Sequence, residues 1–184
     1  RGGAEHLTAP VRLTSWRAPT DNDTNIKTYW GSYNIWQGEN LDKHFSKVYS
    51  CEVKDGAIWV NGSLSGVSRK PYCIYTMKVT VLRSGAILYD LDADIRDNVI
   101  WLPRFGFEFT LNGTYKDFSY YGRGKSENYS DLKNGSFIGM YESTSGMEYV
   151  NYVRPQEHGN HTEVKMLSIG KLKFLSETGF ECNV

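Results

Sequence analysis

The chain has 184 residues, which against a prior of roughly 150 residues per domain accommodates one domain or one plus part of a second and excludes an array of modules. Lys and Arg total 21, as do Asp and Glu, so the zero formal charge advertises no phosphate-tracking surface and no nucleic-acid partner is expected. With 40% hydrophobic and 14% aromatic residues a core can be built and disorder is disfavoured, and no apolar run approaches the roughly 20 residues that cross a bilayer, so no membrane association is expected.

The opening Arg1-Gly2-Gly3-Ala4-Glu5-His6 lacks the apolar core of a signal peptide. Three cysteines, Cys51, Cys73 and Cys182, make an odd number at long spacings without a C-x-x-C, which gives neither a disulfide framework nor a zinc knuckle and makes a reducing compartment the default. A cytoplasmic location is therefore expected, with a periplasmic or secreted one as the alternative.

Along the chain, Leu41, Phe45 and Val48 recur at helical spacing between Gly38 and Cys51, with Asp42, Lys43 and Lys47 off that face, and this predicts one short helix. A strand is expected from Ala57 to Asn61, ending at Asn61-Gly62. Cys73, Tyr75, Met77, Val79 and Val81 alternate with Thr76, Lys78 and Thr80, Ser84-Gly85 breaks the run, and Ile87, Tyr89, Leu91, Ala93 and Ile95 then alternate with acids. That pattern predicts an antiparallel hairpin over residues 72–95. Further strands are expected at Phe105 to Leu111, Phe118 to Tyr121, Glu163 to Ile169 and Leu172 to Leu175. The fold class is thus expected to be all-β with one short helix, in one domain over residues 1–184 whose ends look cut, and a missing C-terminal partner strand is expected.

Three stretches concentrate Gly, Pro, Asn, Arg and acids, the composition of loops that carry sites. Trp16-Arg17-Ala18-Pro19-Thr20-Asp21-Asn22-Asp23 sets two carboxylates and an amide behind a proline, which suits sugar hydroxyls or a hard cation and equally an ordinary turn whose side chains cap its own backbone. In the second, residues 120–131, Gly124-Lys125-Ser126 resembles a phosphate loop only superficially, because Glu127-Asn128-Tyr129-Ser130-Asp131 does not open a helix. Arg123 and Glu127 read there as a loop pinned by a charge-assisted hydrogen bond. The third, Tyr152 to Thr162, holds His158 and His161, but Pro155 and Gly159 argue against the helix a zinc pair at that spacing would use.

No Gly-x-Ser-x-Gly elbow is present and no cysteine sits in a nucleophile setting, so nucleophilic acyl transfer is unsupported. Glycoside hydrolysis needs two carboxyl groups facing each other across a bond, a condition spacing alone does not establish for Asp21, Asp23, Glu127 or Glu157. Trp16, Trp30, Trp36, Trp59 and Trp101 read as core or as a sugar-stacking platform.

Taken in order, Arg17-Ala18-Pro19-Thr20-Asp21-Asn22-Asp23, Leu102-Pro103-Arg104-Phe105-Gly106, Gly122 to Lys133 and Pro155 to Thr162 resemble the signature of the C-terminal small-chain domain, domain 5, of bacterial β-galactosidases of glycoside hydrolase family 2. Lys125, Ser130, Leu132, His158 and His161 depart from that family's pattern. The resemblance implies an antiparallel super-sandwich similar in fold to galactose mutarotases, of which this chain would be the N-terminal two-thirds.

It also implies a parent that hydrolyses terminal β-D-galactosides such as lactose with retention. The catalytic glutamates would lie in a TIM-barrel domain elsewhere in that parent, so no catalytic residue and no activity are expected of this chain alone. Its part would be one wall of the galactoside pocket, formed near Asp21 to Thr28, with Asp21, Asn22 and Asp23 as substrate-binding candidates. Arg17, Arg104, Arg123, Glu127, Asn128 and Glu157 would hold the loops. No metal or cofactor is expected here, the parent's Mg2+ and Na+ falling in the barrel. The partners implied are the parent's remaining domains and the galactoside. Two alternatives stand beside this: a free-standing mutarotase-like hexose epimerase using His158 with Glu157 or Glu127 as acid and base, and a carbohydrate-binding module.

Overall fold

The computed structural model describes residues 5–24, 38–96 and 102–184. It divides into two compact units, Arg12–Glu108 and Phe109–Val184 with residues 5–11.

In the first unit β1 (Arg12–Thr14) pairs antiparallel with β6 (Gly106–Glu108). A four-stranded antiparallel sheet runs in the order β2 (His44–Lys54), β3 (Ala57–Gly66), β4 (Cys73–Val81), β5 (Ile87–Ile95). Asp55 and Gly56 join β2 to β3 with both φ angles positive, 54° and 72°, the two-residue turn whose twist matches the flanking strands. The alternation read from the sequence sets the register of β4 on β5: Tyr75 faces Ala93, Met77 faces Leu91 and Lys78 faces Asp90. One face therefore buries Leu64, Cys73 and Tyr75 with Leu13, Leu41 and Tyr72, and Val60, Met77, Leu91 and Phe107 pack around them.

The helix expected between Gly38 and Cys51 is not there. A 3-10 turn covers Leu41–Lys43 and the chain then extends as β2 through Lys54. Leu41 is buried, but Phe45, Val48 and Val53 are exposed on an edge strand. With both faces half open, β2 shows no alternation, and a bulge between Val48 and Ser50 shifts its phase. Pairing with β3 decides the conformation in place of the 3.6-residue spacing.

Other strands are longer than their turn signals suggest. β3 runs through Asn61-Gly62 to Gly66, and Gly62 serves close approach there: a Cβ would stand 2.5 Å from Tyr75 Cζ and 2.8 Å from the Lys47 carbonyl oxygen. The strand expected over 105–111 shortens to β6, with an isolated bridge from Leu111 to Leu7.

The second unit is an antiparallel sheet in the order β10 (Leu172–Asn183), β9 (Asn160–Ile169), β7 (Asp117–Gly124), β8 (Phe137–Thr144). Phe118, Tyr120, Val164, Leu167 and Ile169 form its core, with Tyr141, Phe174 and Phe180 packed against them. Gly122 lets β7 and β9 approach, since a Cβ there would lie 2.7 Å from Val164 Cγ2 and 2.8 Å from its Cα. The chain is all-β and its sheets are antiparallel, as the sequence pattern predicts.

Candidate functional site

The first loop follows β1 and leads into a single helical turn, α1 (Asp21–Thr24). Asp23 organises it. Its Oδ2 accepts from Arg17 Nη1 at 2.5 Å, from the Thr20 backbone N–H at 2.7 Å and from the Thr20 hydroxyl at 2.9 Å, while the Asp23 N–H donates back to the Thr20 carbonyl at 3.1 Å. This is one half of a capping box, the acid three residues after the cap reaching back to the cap's N–H, while the Thr20 hydroxyl donates to the same carboxylate instead of accepting from the Asp23 N–H. Burial on its own would raise the Asp23 pKa, but the hydrogen bonds from Arg17 and Thr20 outweigh it and hold the carboxyl below its ordinary 3.8. Of the three expected sugar contacts, Asp23 is thus engaged with the loop itself, Asp21 is half-buried and Asn22 is exposed. Residues 25–28 of the expected pocket wall, with Trp30, Trp36 and Trp101, lie outside the described residues.

Arg104 is half-buried. The second and third loops meet in the second unit, and Asn128 is the side chain that joins them. It is fully buried. Its Nδ2 donates to the Arg123 and Ser126 carbonyls at 2.9 and 3.1 Å, and its Oδ1 accepts from the Thr162 N–H at 2.9 Å and the Thr162 hydroxyl at 2.6 Å. Backbone and side chain of Asn160 bond back to it: the Asn128 N–H donates to the Asn160 carbonyl, and Asn160 Nδ2 donates to the Asn128 carbonyl. Every donor and acceptor of the buried amide is used.

Glu127 accepts from the Gly159 N–H at 2.8 Å and from the hydroxyls of Tyr129 and Tyr152. That hydrogen bond to Glu127 is the main reason the Tyr152 hydroxyl titrates above its usual range, and burial followed by Glu127 and Glu157 pushes Tyr129 upward as well. Glu157 is half-buried beside this group.

Arg123 is also a loop anchor, but its acid is Glu163 and not Glu127. Nε and Nη2 lie 2.7 and 2.6 Å from Glu163 Oε2, and Nη1 donates to the Ser136 carbonyl at 2.7 Å. Those hydrogen bonds from Arg123 hold Glu163 below its ordinary range. Two residues in sequence from Glu163, His161 is fully buried between Tyr120 and Glu148. His158 instead meets the edge of the Tyr149 ring at 5.0 Å, so the two histidines part ways. Among the described residues no group of three or more His, Cys, Asp and Glu could hold a metal ion. After Gly124-Lys125-Ser126 the chain bends and forms no helix, as the reading against a phosphate loop requires.

Sequence reasoning missed Glu148, Asn160, Thr162 and Glu163. Asn160 and Thr162 flank a histidine within the third loop, and a buried Asn-x-Thr at a strand start was the available signal. Glu148, in the turn after β8, carries no periodic or motif signal at all.

Along its whole length, residues 1–184, the chain matches the family model described as the β-galactosidase small chain. It is similar to the β-galactosidase of Actinobacillus pleuropneumoniae, 26% identical over 188 residues that cover 100% of this chain and 18% of the relative. The β-galactosidase of Lactobacillus delbrueckii subsp. bulgaricus is 32% identical over 89% of this chain and 16% of its own length. That of Staphylococcus xylosus is 31% identical over 84% and 15%. The chain therefore spans less than a fifth of these relatives. Among the described residues no helix is long and apolar enough to cross a membrane. A family match from end to end makes this chain a member of the β-galactosidase small-chain family.

Proposed function

We propose that this chain is a non-catalytic part of a β-galactosidase that hydrolyses terminal β-D-galactosides such as lactose with retention, and that it forms one wall of the substrate pocket. The observation that carries the reading is the family match over the entire chain, which spans only a small part of relatives named β-galactosidases. The chemistry of the loops supports it. A retaining glycosidase needs one free carboxylate nucleophile and one carboxyl kept protonated. Asp23, Glu127, Glu148 and Glu163 are instead held by donors of the chain itself, which is the work of a scaffold.

The same engagement weighs against a mutarotase-like use of Glu127 as a base, since its carboxylate already accepts from a backbone N–H and two tyrosines. Within the first loop, the capping of Asp23 fixes the backbone that presents Asp21 and Asn22. A wall held in this way orients a sugar without donating a proton, lowering the entropic part of the barrier. Partners in this reading are the parent's remaining domains and the galactoside, in the cytoplasm. The parent's Mg2+ and Na+ are assigned to its barrel domain.

The test is hydrolysis of a chromogenic β-galactoside by the 184-residue chain and by the full-length parent, the latter with and without the double substitution Asp21→Ala and Asn22→Ala. The chain alone is expected to be silent, and the substituted parent to show a raised KM. Galactose release by the isolated chain at an enzyme-like rate would overturn the reading, and an unchanged KM would remove the pocket-wall part of it.

A further inference from the structure

Glu148 and His161 belong to a line of hydrogen bonds that the reading above does not use. His161, on β9, is fully buried, faces Cys182 of β10 in register and lies tilted against the Tyr120 ring of β7, centroids 4.3 Å apart. Its Nε2 lies 2.9 Å from Glu148 Oε2 and its Nδ1 lies 3.0 Å from the Tyr120 hydroxyl. Glu148 also accepts from Ser143. At the other end, the Tyr120 hydroxyl stands 3.5 Å from the Lys125 carbonyl oxygen. The line therefore runs from the turn after β8, through the middle of the sheet, to the loop after β7.

Its direction depends on one proton. A carboxylate only accepts, so His161 Nε2 carries a hydrogen in either charge state. In the neutral imidazole Nδ1 is then an acceptor, the Tyr120 hydroxyl must donate to it, and nothing from Tyr120 reaches the Lys125 carbonyl. In the imidazolium Nδ1 donates, the hydroxyl becomes the acceptor, and its own hydrogen turns toward Lys125. In both states the imidazole nitrogens and the Tyr120 hydroxyl keep partners, and the Lys125 carbonyl is the group that gains or loses one.

The groups against the imidazole are Glu148 from the turn after β8, Tyr120 from β7 and Cys182 from β10; Tyr141 of β8 lies against the Tyr120 ring, and Glu181 acts on Cys182. Burial first, then Glu148, drives Tyr120 above its ordinary range, and burial with Glu148 and Glu181 pushes the Cys182 thiol up to about 12. Of these groups, imidazole is the one whose ordinary range falls between about pH 5 and 8.

We propose that His161 is a one-proton switch that couples the turn holding Glu148 to the loop after Gly124, the imidazolium tying the Lys125 carbonyl to Tyr120 and the neutral ring releasing it. The experiment is hydrogen–deuterium exchange of the full-length polypeptide at about pH 5.5 and about pH 8, rates corrected for intrinsic chemistry. Peptides covering residues 125–130 are expected to be about three-fold or more better protected at the lower pH.

His161→Gln donates to Glu148 and accepts from Tyr120 at every pH, and Tyr120→Phe keeps the ring and removes the hydroxyl. Either variant is expected to abolish the difference. Equal protection at both pH values in the unsubstituted protein, or a difference that survives in a folded variant, overturns the proposal. Should neither variant fold, the 15N shifts of labelled His161 decide it. Nδ1 must pass from acceptor to donor across that pH interval while Nε2 stays protonated, and an Nδ1 that keeps one state overturns the switch.

Discussion

The loop after β1 and the paired loops around Asn128 are built from the same residue types, yet they spend their polar groups differently. Around Asn128, one buried amide bonds the nearby Arg123 and Ser126 carbonyls and, 34 positions further along the sequence, the backbone N–H and hydroxyl of Thr162. Around Asp23, the bonds close locally, within six residues, and Asn22 is left at the surface. Long-range bonds of buried groups fix how strands meet, whereas a local cap fixes only the shape of one turn. The first arrangement makes a framework, and the second presents side chains outward from a rigid base.

If that contrast holds, the largest stability loss should come from Asn128→Ala. Removing the amide strands Thr162 and two carbonyls in a dry site, at about 1–3 kcal/mol for each group left unpaired, so a loss on the order of 4 kcal/mol in urea denaturation is expected. A cost under about 1 kcal/mol would mean that water replaces the amide and that the framework is not dry. Next comes Gly122→Ala. The added methyl would press on Val164 Cα and Cγ2 at 2.8 and 2.7 Å, and separating β7 from β9 is expected to cost about 1–3 kcal/mol by the same measurement.

Asp23→Asn should cost less, about 1 kcal/mol, because the charge-assisted bonds it weakens lie in a partly solvated loop. The pH dependence has a definite sign. The folded-state pKa of Asp23 lies below its ordinary 3.8, so its stabilisation is complete above that value and is lost as pH falls through the lower folded pKa. The gap between wild type and Asp23→Asn should therefore be constant from about pH 5 to 8 and close in more acid solution. A gap that widens on acidification would show that Arg17 does not hold the carboxylate.

The sequence made part of this contrast legible. The β4–β5 hairpin could be read because one face of each strand is buried, so Cys73 to Val81 and Ile87 to Ile95 alternate in composition. β2 could not, since an edge strand with Phe45, Val48 and Val53 exposed leaves no alternation to read. Arg17 and Asp23 lie close in sequence in one loop, yet Asp23 reads there as a sugar contact and its bond to Arg17 shows only in the fold. The partners of Arg123 and His161, which are Glu163 and Glu148, are brought in by strand pairing and by a turn, and no local spacing announces them. Motif order located the loops; tertiary pairing chose which acid each base meets.

The smallest effect on stability and the sharpest test of the first loop's role is Asn22→Ala. An exposed side chain on a turn already capped by Asp23 and Thr20 should change stability by no more than about 0.5 kcal/mol. In the full-length parent the same substitution should still raise the KM for a β-galactoside, because a lost hydrogen bond to a sugar hydroxyl weakens positioning without disturbing the fold. A KM effect without a stability effect separates presentation from framework. If Asn22→Ala instead lowers stability as Gly122→Ala does, the first loop is framework too. The difference between the two regions would then lie in how far their bonds reach along the chain, and not in what they do.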